Sequence, residues 1–343
     1  MNKIKVMVVN DSLYMRELLT YILNSNPKIM VSETARDGID AMSKLRQSRP
    51  DVVLLDLEMP NMDGFTFIEK VMQEKPIPIV VVSSYGQDDT EIVFEALESG
   101  AIDFVSIPQD GPEKLDQLER NLTSKILVAA EANLEILQTK TKKNDKETDV
   151  KGAASQVVVI GASTGGPGAL CHVLSELPNN LSSGVLIVQH MPLGFTTGFA
   201  KHLDSVSKIR VKEASNGDMI KEGIALLAPA DYHMIVKPSR CVELDKSPKV
   251  LGVRPSVNMS MITASEVYGN NTVGILLSGM GRDGAFGMKM IKKRGGITVA
   301  QNEFSSVVYG MAKAANDLSA VDKLVPIEKI AQEIVMAVDR HVR

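Results

Sequence analysis

The sequence predicts two α/β domains in tandem, each a doubly wound open sheet. Three observations carry that expectation. Over the first 120 residues, short apolar runs alternate with amphipathic stretches. Residues 138–155, QTKTKKNDKETDVKGAAS, then hold no large apolar residue except Val150. From Gln156 onward the alternation resumes with VVVIG. A chain of 343 residues is long enough to bury two cores.

The first five strands are expected at Ile4–Val9, Ile29–Thr34, Val52–Leu55, Ile79–Ser83 and Ile102–Val105. Each is nearly all apolar and bounded by Asp, Pro, Gly or Ser, as strands covered on both faces should be. Between the first two, Leu18, Leu19, Ile22 and Leu23 give Leu13–Leu23 one apolar side. From Leu115 to Leu137 the apolar residues keep helical spacing, so the last helix should run on beyond the first domain. The polar stretch after it cannot offset its own ordering entropy and reads as a flexible linker. Further strands are expected at Gly184–Val188, Gly223–Ala228, Thr272–Leu277 and Ile297–Ala300, with a small hairpin from Met234–Val236 and Val242–Leu244. The domains are therefore expected over 1–122 and 156–343, joined by a helical extension and linker over 123–155.

Composition excludes several classes of function. Lys and Arg total 38 against 42 Asp and Glu, a net charge of −4 that offers no electrostatic grip on nucleic acid or anionic lipid. The N-terminal apolar run stops after four residues at Asn10 and Asp11, which is no signal peptide. No stretch approaches the roughly 18 apolar residues of a membrane span. Two cysteines, Cys171 and Cys241, make no disulfide framework and no four-cysteine metal site. The expectation is a cytoplasmic protein with no nucleic-acid partner and no membrane insertion.

In open α/β sheets, ligands bind beyond the carboxyl ends of the strands. Asn10 and Asp11 close the first strand, Asp56 the third and Ser83 the fourth. Polar residues commonly end strands, so no one of them means much alone. Together they make a carboxylate cluster suited to a hard divalent cation, beside a possible phosphoryl acceptor. Over residues 1–120, VVNDS, LLDLEMPNMDG, VVVSS and GAIDFVSIP resemble the receiver domain of bacterial response regulators, a flavodoxin-like fold. The resemblance implies that Asp56 accepts a phosphoryl group, that Asp11 and Asp56 hold Mg²⁺, and that Ser83 is the switch hydroxyl. Two positions depart from the family. Asn10 stands where an acid is usual, and Ile107 stands where a lysine is usual.

In the second half, VVVIGASTGGPGAL runs a buried strand through a small-residue turn into a helix. It is neither a Walker loop nor GxGxxG, so a nucleotide site is not expected. Either Ser163 is a nucleophile held near helix-terminal N–H groups, or the turn is structural with Ser163 or Thr164 as its cap. A nucleophilic serine needs a base and a group to orient that base. His190 ends GVLIVQH, and Asp283 lies in the glycine-rich turn after VGILL. A serine, a histidine and an acid thus each follow an apolar strand. Their order is not the Ser…Asp…His of α/β-hydrolases.

IGASTGGP, QHMPLGFTTGFA, LAPADYHM, RPSVN, LSGMGRDGA and AQNEFSSVVYGM together resemble the catalytic domain of the chemotaxis protein-glutamate methylesterase (CheB) family, a Rossmann-like domain. The resemblance implies a Ser163–His190–Asp283 triad, with the Met280 N–H in the oxyanion hole. It further implies hydrolysis of glutamyl methyl esters on methyl-accepting chemoreceptors, deamidation of receptor glutamine, and control by the receiver domain. A chemotaxis histidine kinase is the implied phosphodonor, and the ester chemistry calls for no cofactor. Asn258 stands where Asp is usual, and Ala230 where glycine is usual. The competing readings are a non-catalytic docking protein, a DNA-binding response regulator and a general esterase. The complete triad argues against the first, and the strand-rich second half without a basic helix against the second. Aromatic residues at 4% without an apolar lid weaken the third.

Overall fold

A computed structural model describes residues 3–83, 90–107, 112–134 and 152–340. The chain divides into two compact units, Met1–Lys140 and Thr141–Arg343. Both are α/β.

The first unit carries β1 (Ile4–Val9), α1 (Leu13–Ser25), β2 (Ile29–Ala35), α2 (Gly38–Leu45), β3 (Val52–Asp56), α3 (Gly64–Glu74), β4 (Ile79–Ser83), α4 (Thr90–Glu98), β5 (Asp103–Ser106) and α5 (Pro112–Ala129). Its strands lie in the order β2-β1-β3-β4-β5, all parallel. Val6, Met7 and Val8 of β1 and Val52 to Leu55 of β3 are fully buried, which is why these runs carry no alternation. Register pairs Val9 with Leu55 and Asp56 with Val82, so Asn10, Asp56 and Ser83 share one edge. α5 ends at Ala129, short of the predicted Leu137. Its last turn tightens as the Glu131 and Ala132 N–H groups bond back to Val128 and Ala129 at 3.1 Å, closing the helix. Leu137 and linker residues 138–151 lie outside the described residues.

The second unit comprises β6 (Val157–Ala162), α6 (Gly166–Glu176), β7 (Gly184–Gln189), α7 (Thr196–Val206), β8 (Arg210–Glu213), β9 (Ile224–Leu227), β10 (His233–Val236), β11 (Val242–Asp245), α8 (Val257–Tyr268), β12 (Thr272–Leu276), α9 (Ala285–Lys293), β13 (Ile297–Gln301), α10 (Met311–Asp317), β14 (Lys323–Val325) and α11 (Ile327–Asp339). A parallel seven-stranded sheet runs β14-β13-β12-β6-β7-β9-β8, and β10 and β11 form the expected antiparallel hairpin. The edge strands β8 and β14 were not expected, because RVKE and KLV are short and half polar, as sheet edges tend to be. The unit also takes hold earlier than Gln156. Ala154 is fully buried and donates to Ile220 O at 3.0 Å, so the end of the predicted linker is packed. β6 lies between β12 and β7, so the order of strand succession reverses there, the kind of switch point whose carboxyl end forms a crevice in open α/β sheets. Among the described residues no helix is long and apolar enough to cross a membrane.

Candidate active site

Ser163 follows β6 at that crevice. Its N–H donates to Ser278 O at 3.0 Å, and its carbonyl accepts from the Gly166 N–H at 2.8 Å, which folds the turn tightly. Gly165 supplies the left-handed backbone that the turn needs, with φ of 72°. Beside it, a Cβ on Gly279 would lie 2.8 Å from Ser163 Cβ, so only glycine lets that strand end approach the serine this closely. Ser278 Oγ donates to Thr164 O at 2.8 Å and fastens the two turns together.

His190 follows β7, the neighbour of β6 on the other side, and its N–H donates to Ala162 O at 3.1 Å. Its ring Nε2 lies 2.9 Å from Asp283 Oδ2. Asp283 is 4% exposed and stands at the N-terminus of α8. Its Oδ2 accepts from the Val257 N–H at 2.7 Å, while Oδ1 accepts from Ser256 Oγ at 2.8 Å and from the N–H groups of Asn258 and Gly284 at 3.1 Å. Burial works to raise the carboxyl's pKa, but the His190 hydrogen bond and charge and the helix N–H groups outweigh it. The net shift is downward, and the group is an anion. A carboxylate only accepts, so the His190 proton is held at Nε2 and the Nδ1 lone pair is left for a substrate-side proton. Behind Asp283, the fully buried His233 accepts the Ser256 N–H on Nδ1 at 3.1 Å, fixing the residue that caps the acid.

Among the described residues, no hydrogen bond joins Ser163 Oγ to His190. Nor does any use the Met280 N–H, which follows Gly279 and so lies in the loop against Ser163. An uncommitted hydroxyl, an imidazole oriented by a carboxylate and an uncommitted N–H are the parts that acyl transfer requires.

The first unit gathers a second polar cluster. Asn10 Nδ2 donates to Asp56 Oδ2 at 2.6 Å, and the Glu58 N–H reaches Oδ1 at 3.3 Å. Asn10 Oδ1 accepts from the Ser12 N–H at 2.9 Å, turned away from Asp56. Burial pushes the Asp56 carboxyl up to about 6, and the charges of Asp11 and Glu58 add to that rise. A cleft of about 470 Å³ opens beside Asp11 and Glu58. Ser83 is fully buried at the end of β4. Lys125 stands at the other end of β5, bonded to Asp103 Oδ1 at 2.6 Å and to Phe104 O.

A family profile described as CheB methylesterase matches residues 158–334, more than half of the chain. The chain belongs to the CheB methylesterase family. A second profile, described as response regulator receiver domain, matches residues 6–119. A Pyrococcus abyssi protein named protein-glutamate methylesterase/protein-glutamine glutaminase is 46% identical over 348 residues, covering 98% of this chain and 94% of its own length. A Symbiobacterium thermophilum protein of the same name is 40% identical, covering 98% and 97%. The crystal structure of the Thermotoga maritima CheB methylesterase catalytic domain is similar with a TM-score of 0.52 and 39% identity, over 53% of this chain and 97% of that one.

In this CheB chain the fold joins His190 to Asp283 directly and leaves Ser163 on the adjacent strand end without a bond to either. Asn258 and Ala230 are each held by local hydrogen bonds. Asn258 Oδ1 accepts from the Gly287 N–H at 2.7 Å, and the Ala230 N–H donates to Thr196 Oγ1 at 3.3 Å. Sequence reasoning missed the cradle around Asp283, because it consists mainly of backbone N–H groups. It also missed Gln189, whose signal was available: an amide at the end of an otherwise apolar, fully buried strand.

Proposed function

We propose that the chain hydrolyses glutamyl methyl esters on chemoreceptors to glutamate and methanol, and deamidates receptor glutamine, with Ser163 as nucleophile. The observation that carries this reading is the His190–Asp283 pair held at the strand end beside Ser163, with the Met280 N–H uncommitted. Ser163 Oγ attacks the γ-carbonyl carbon as its proton passes to His190 Nδ1. Asp283 stabilises the imidazolium so formed, and the Met280 N–H meets the oxyanion; losing one such donor typically costs about 10²–10³ in rate. Collapse expels methanol, which takes the proton from His190. Water then repeats the sequence in reverse and frees glutamate. A glutamine amide enters the same path and expels ammonia.

The receiver domain controls this activity in our reading, with Asp56 as phosphoacceptor, Ser83 as the following hydroxyl and a chemotaxis histidine kinase as phosphodonor. Asp11 and Asp56 fit a divalent cation, since the set is all oxygen and their mutual repulsion is a charge that Mg²⁺ would relieve. Bound there, the ion would neutralise charge on an incoming phosphoryl group. This reading has the protein work in the cytoplasm. Methanol release from methylated receptor membranes tests the catalytic assignment. Ser163→Ala should abolish it in a folded chain, and retained turnover would remove Ser163 from the mechanism.

A further inference from the structure

β6 and β7 pair in parallel up to Ala162 and Gln189, and the last backbone bond between them runs from the His190 N–H to Ala162 O. Ser163 and His190 each stand one residue beyond that pair. There the Gln189 side chain supplies what the backbone no longer does. Its Nε2 donates one hydrogen to Ser163 O at 2.9 Å and the other to His190 O at 3.0 Å. One planar amide therefore spans the carbonyls of the nucleophile and the base.

The amide is held in a fixed orientation. Gln189 is 2% exposed, and its Oε1 has no hydrogen-bond partner among the described residues. A buried oxygen without a partner is costly, so the fold tolerates it for the sake of the two bonds at Nε2. Space for that oxygen exists because residue 166 is glycine: a Cβ there would fall on Oε1 and lie 2.8 Å from Ala162 Cβ. Flipping the amide would aim an acceptor at two acceptors, which excludes the alternative orientation.

We propose that Gln189 is a positioning residue for ester hydrolysis, its amide setting the separation of Ser163 from His190. This rests on the triad reading above. It concerns a residue that touches no substrate and acts through the backbone of two that do. The serine hydroxyl and the imidazole are not hydrogen-bonded to each other in the resting protein, so their spacing depends on the strand ends. A shift of about 1 Å between reacting groups can cost roughly 10²-fold in rate.

The test compares methanol release from methylated receptor membranes by the full chain and its variants. Gln189→Met fills the same space without a donor. It should lower kcat by about 10- to 100-fold while KM stays within about twofold, because binding is untouched. A folded Gln189→Met chain with kcat within about twofold of the unsubstituted chain overturns the proposal. Gln189→Glu supplies an independent readout if the first variant does not fold. A protonated acid donates one hydrogen and an ionised one donates none, so its activity relative to the unsubstituted chain should fall as pH rises. A ratio that rises or stays constant overturns the proposal, since added negative charge near His190 favours a rise and a purely architectural amide no change. Ser163→Ala is measured alongside. Turnover surviving there defeats the triad reading itself, whereas an inert Ser163→Ala with a normal Gln189→Met defeats only the role of Gln189.

Discussion

Asn10 donates its side-chain amide to Asp56 at 2.6 Å, so a neutral donor rests on the carboxylate that would carry a phosphoryl group. Asp11 and Asp56 carry a formal charge of −2 between them, and Ile107 adds no charge to offset it. Adding a phosphoryl group of roughly −1.5 to −2 leaves that charge without a lysine partner at position 107. Ile107→Lys should raise steady-state phospho-Asp56 from a small-molecule donor, Asn10→Asp should tighten Mg²⁺, and the double variant should give the most phosphorylation and activation. Equal phosphorylation and activation in the unsubstituted chain would show both departures to be neutral.

The raised Asp56 pKa has a stability consequence whose sign is fixed. Between about pH 4 and 6 the folded chain binds more protons than the unfolded one, so stability falls as pH rises through this window and is level above it. With its remaining exposure allowed for, ionised Asp56 costs about 1–2 kcal/mol at neutral pH. Asp56→Asn should therefore raise the receiver's thermal midpoint at pH 7.5 in a chelator and leave it unchanged at pH 4. A shift of equal size at both pH values would contradict the titration.

Asp283 has the opposite sign. Its carboxyl lies below the usual range, so its contribution is complete above about pH 4 and is lost as pH falls through the lowered value. Asp283→Asn turns an NH₂ toward N–H donors and should cost about 1–3 kcal/mol of stability. Rate should fall by about 10³- to 10⁴-fold, because His190 loses the group that fixes its proton at Nε2. Thermal melts and methanol release measure the two effects separately.

Gly279→Ala should disable the serine with Ser163, His190 and Asp283 all left unsubstituted. The new methyl would stand 2.8 Å from Ser163 Cβ and 2.5 Å from Met311 Sδ. Either the serine turn or the Met280 loop must move, and we expect a loss of about 10²-fold in kcat. Activity near the unsubstituted level would mean that the approach of the two strand ends is looser than it stands.

Removing residues 1–151 should raise basal esterase activity if the receiver restrains the catalytic unit. The remaining fragment keeps the buried Ala154, and the Thermotoga maritima catalytic domain was crystallised as a domain. Unchanged activity in a folded fragment would assign the receiver another task.

The strands that carry the site were legible because they are buried on both faces. VVVIG, GVLIVQ and TVGIL leave little doubt about period or position, and polar residues just past them had to meet at one edge. What stayed hidden was of another kind. RVKE and KLV gain their strand character only from a neighbour to pair with. Ala154 looks like linker until its burial is seen. The cradle of Asp283 is built largely from N–H groups of Val257, Asn258 and Gly284, which every residue but proline possesses. Gln189 could have been singled out, since an amide in a buried strand needs partners, but not which carbonyls it would reach.

Restraint declines steadily across the catalytic centre. Asp283 accepts five hydrogen bonds, the His190 ring makes one to it, and Ser163 Oγ makes none among the described residues. A serine without contact to its base is an ordinary alcohol and a poor nucleophile. On the proposed mechanism the Ser163 hydroxyl must therefore reach His190 before it can attack an ester.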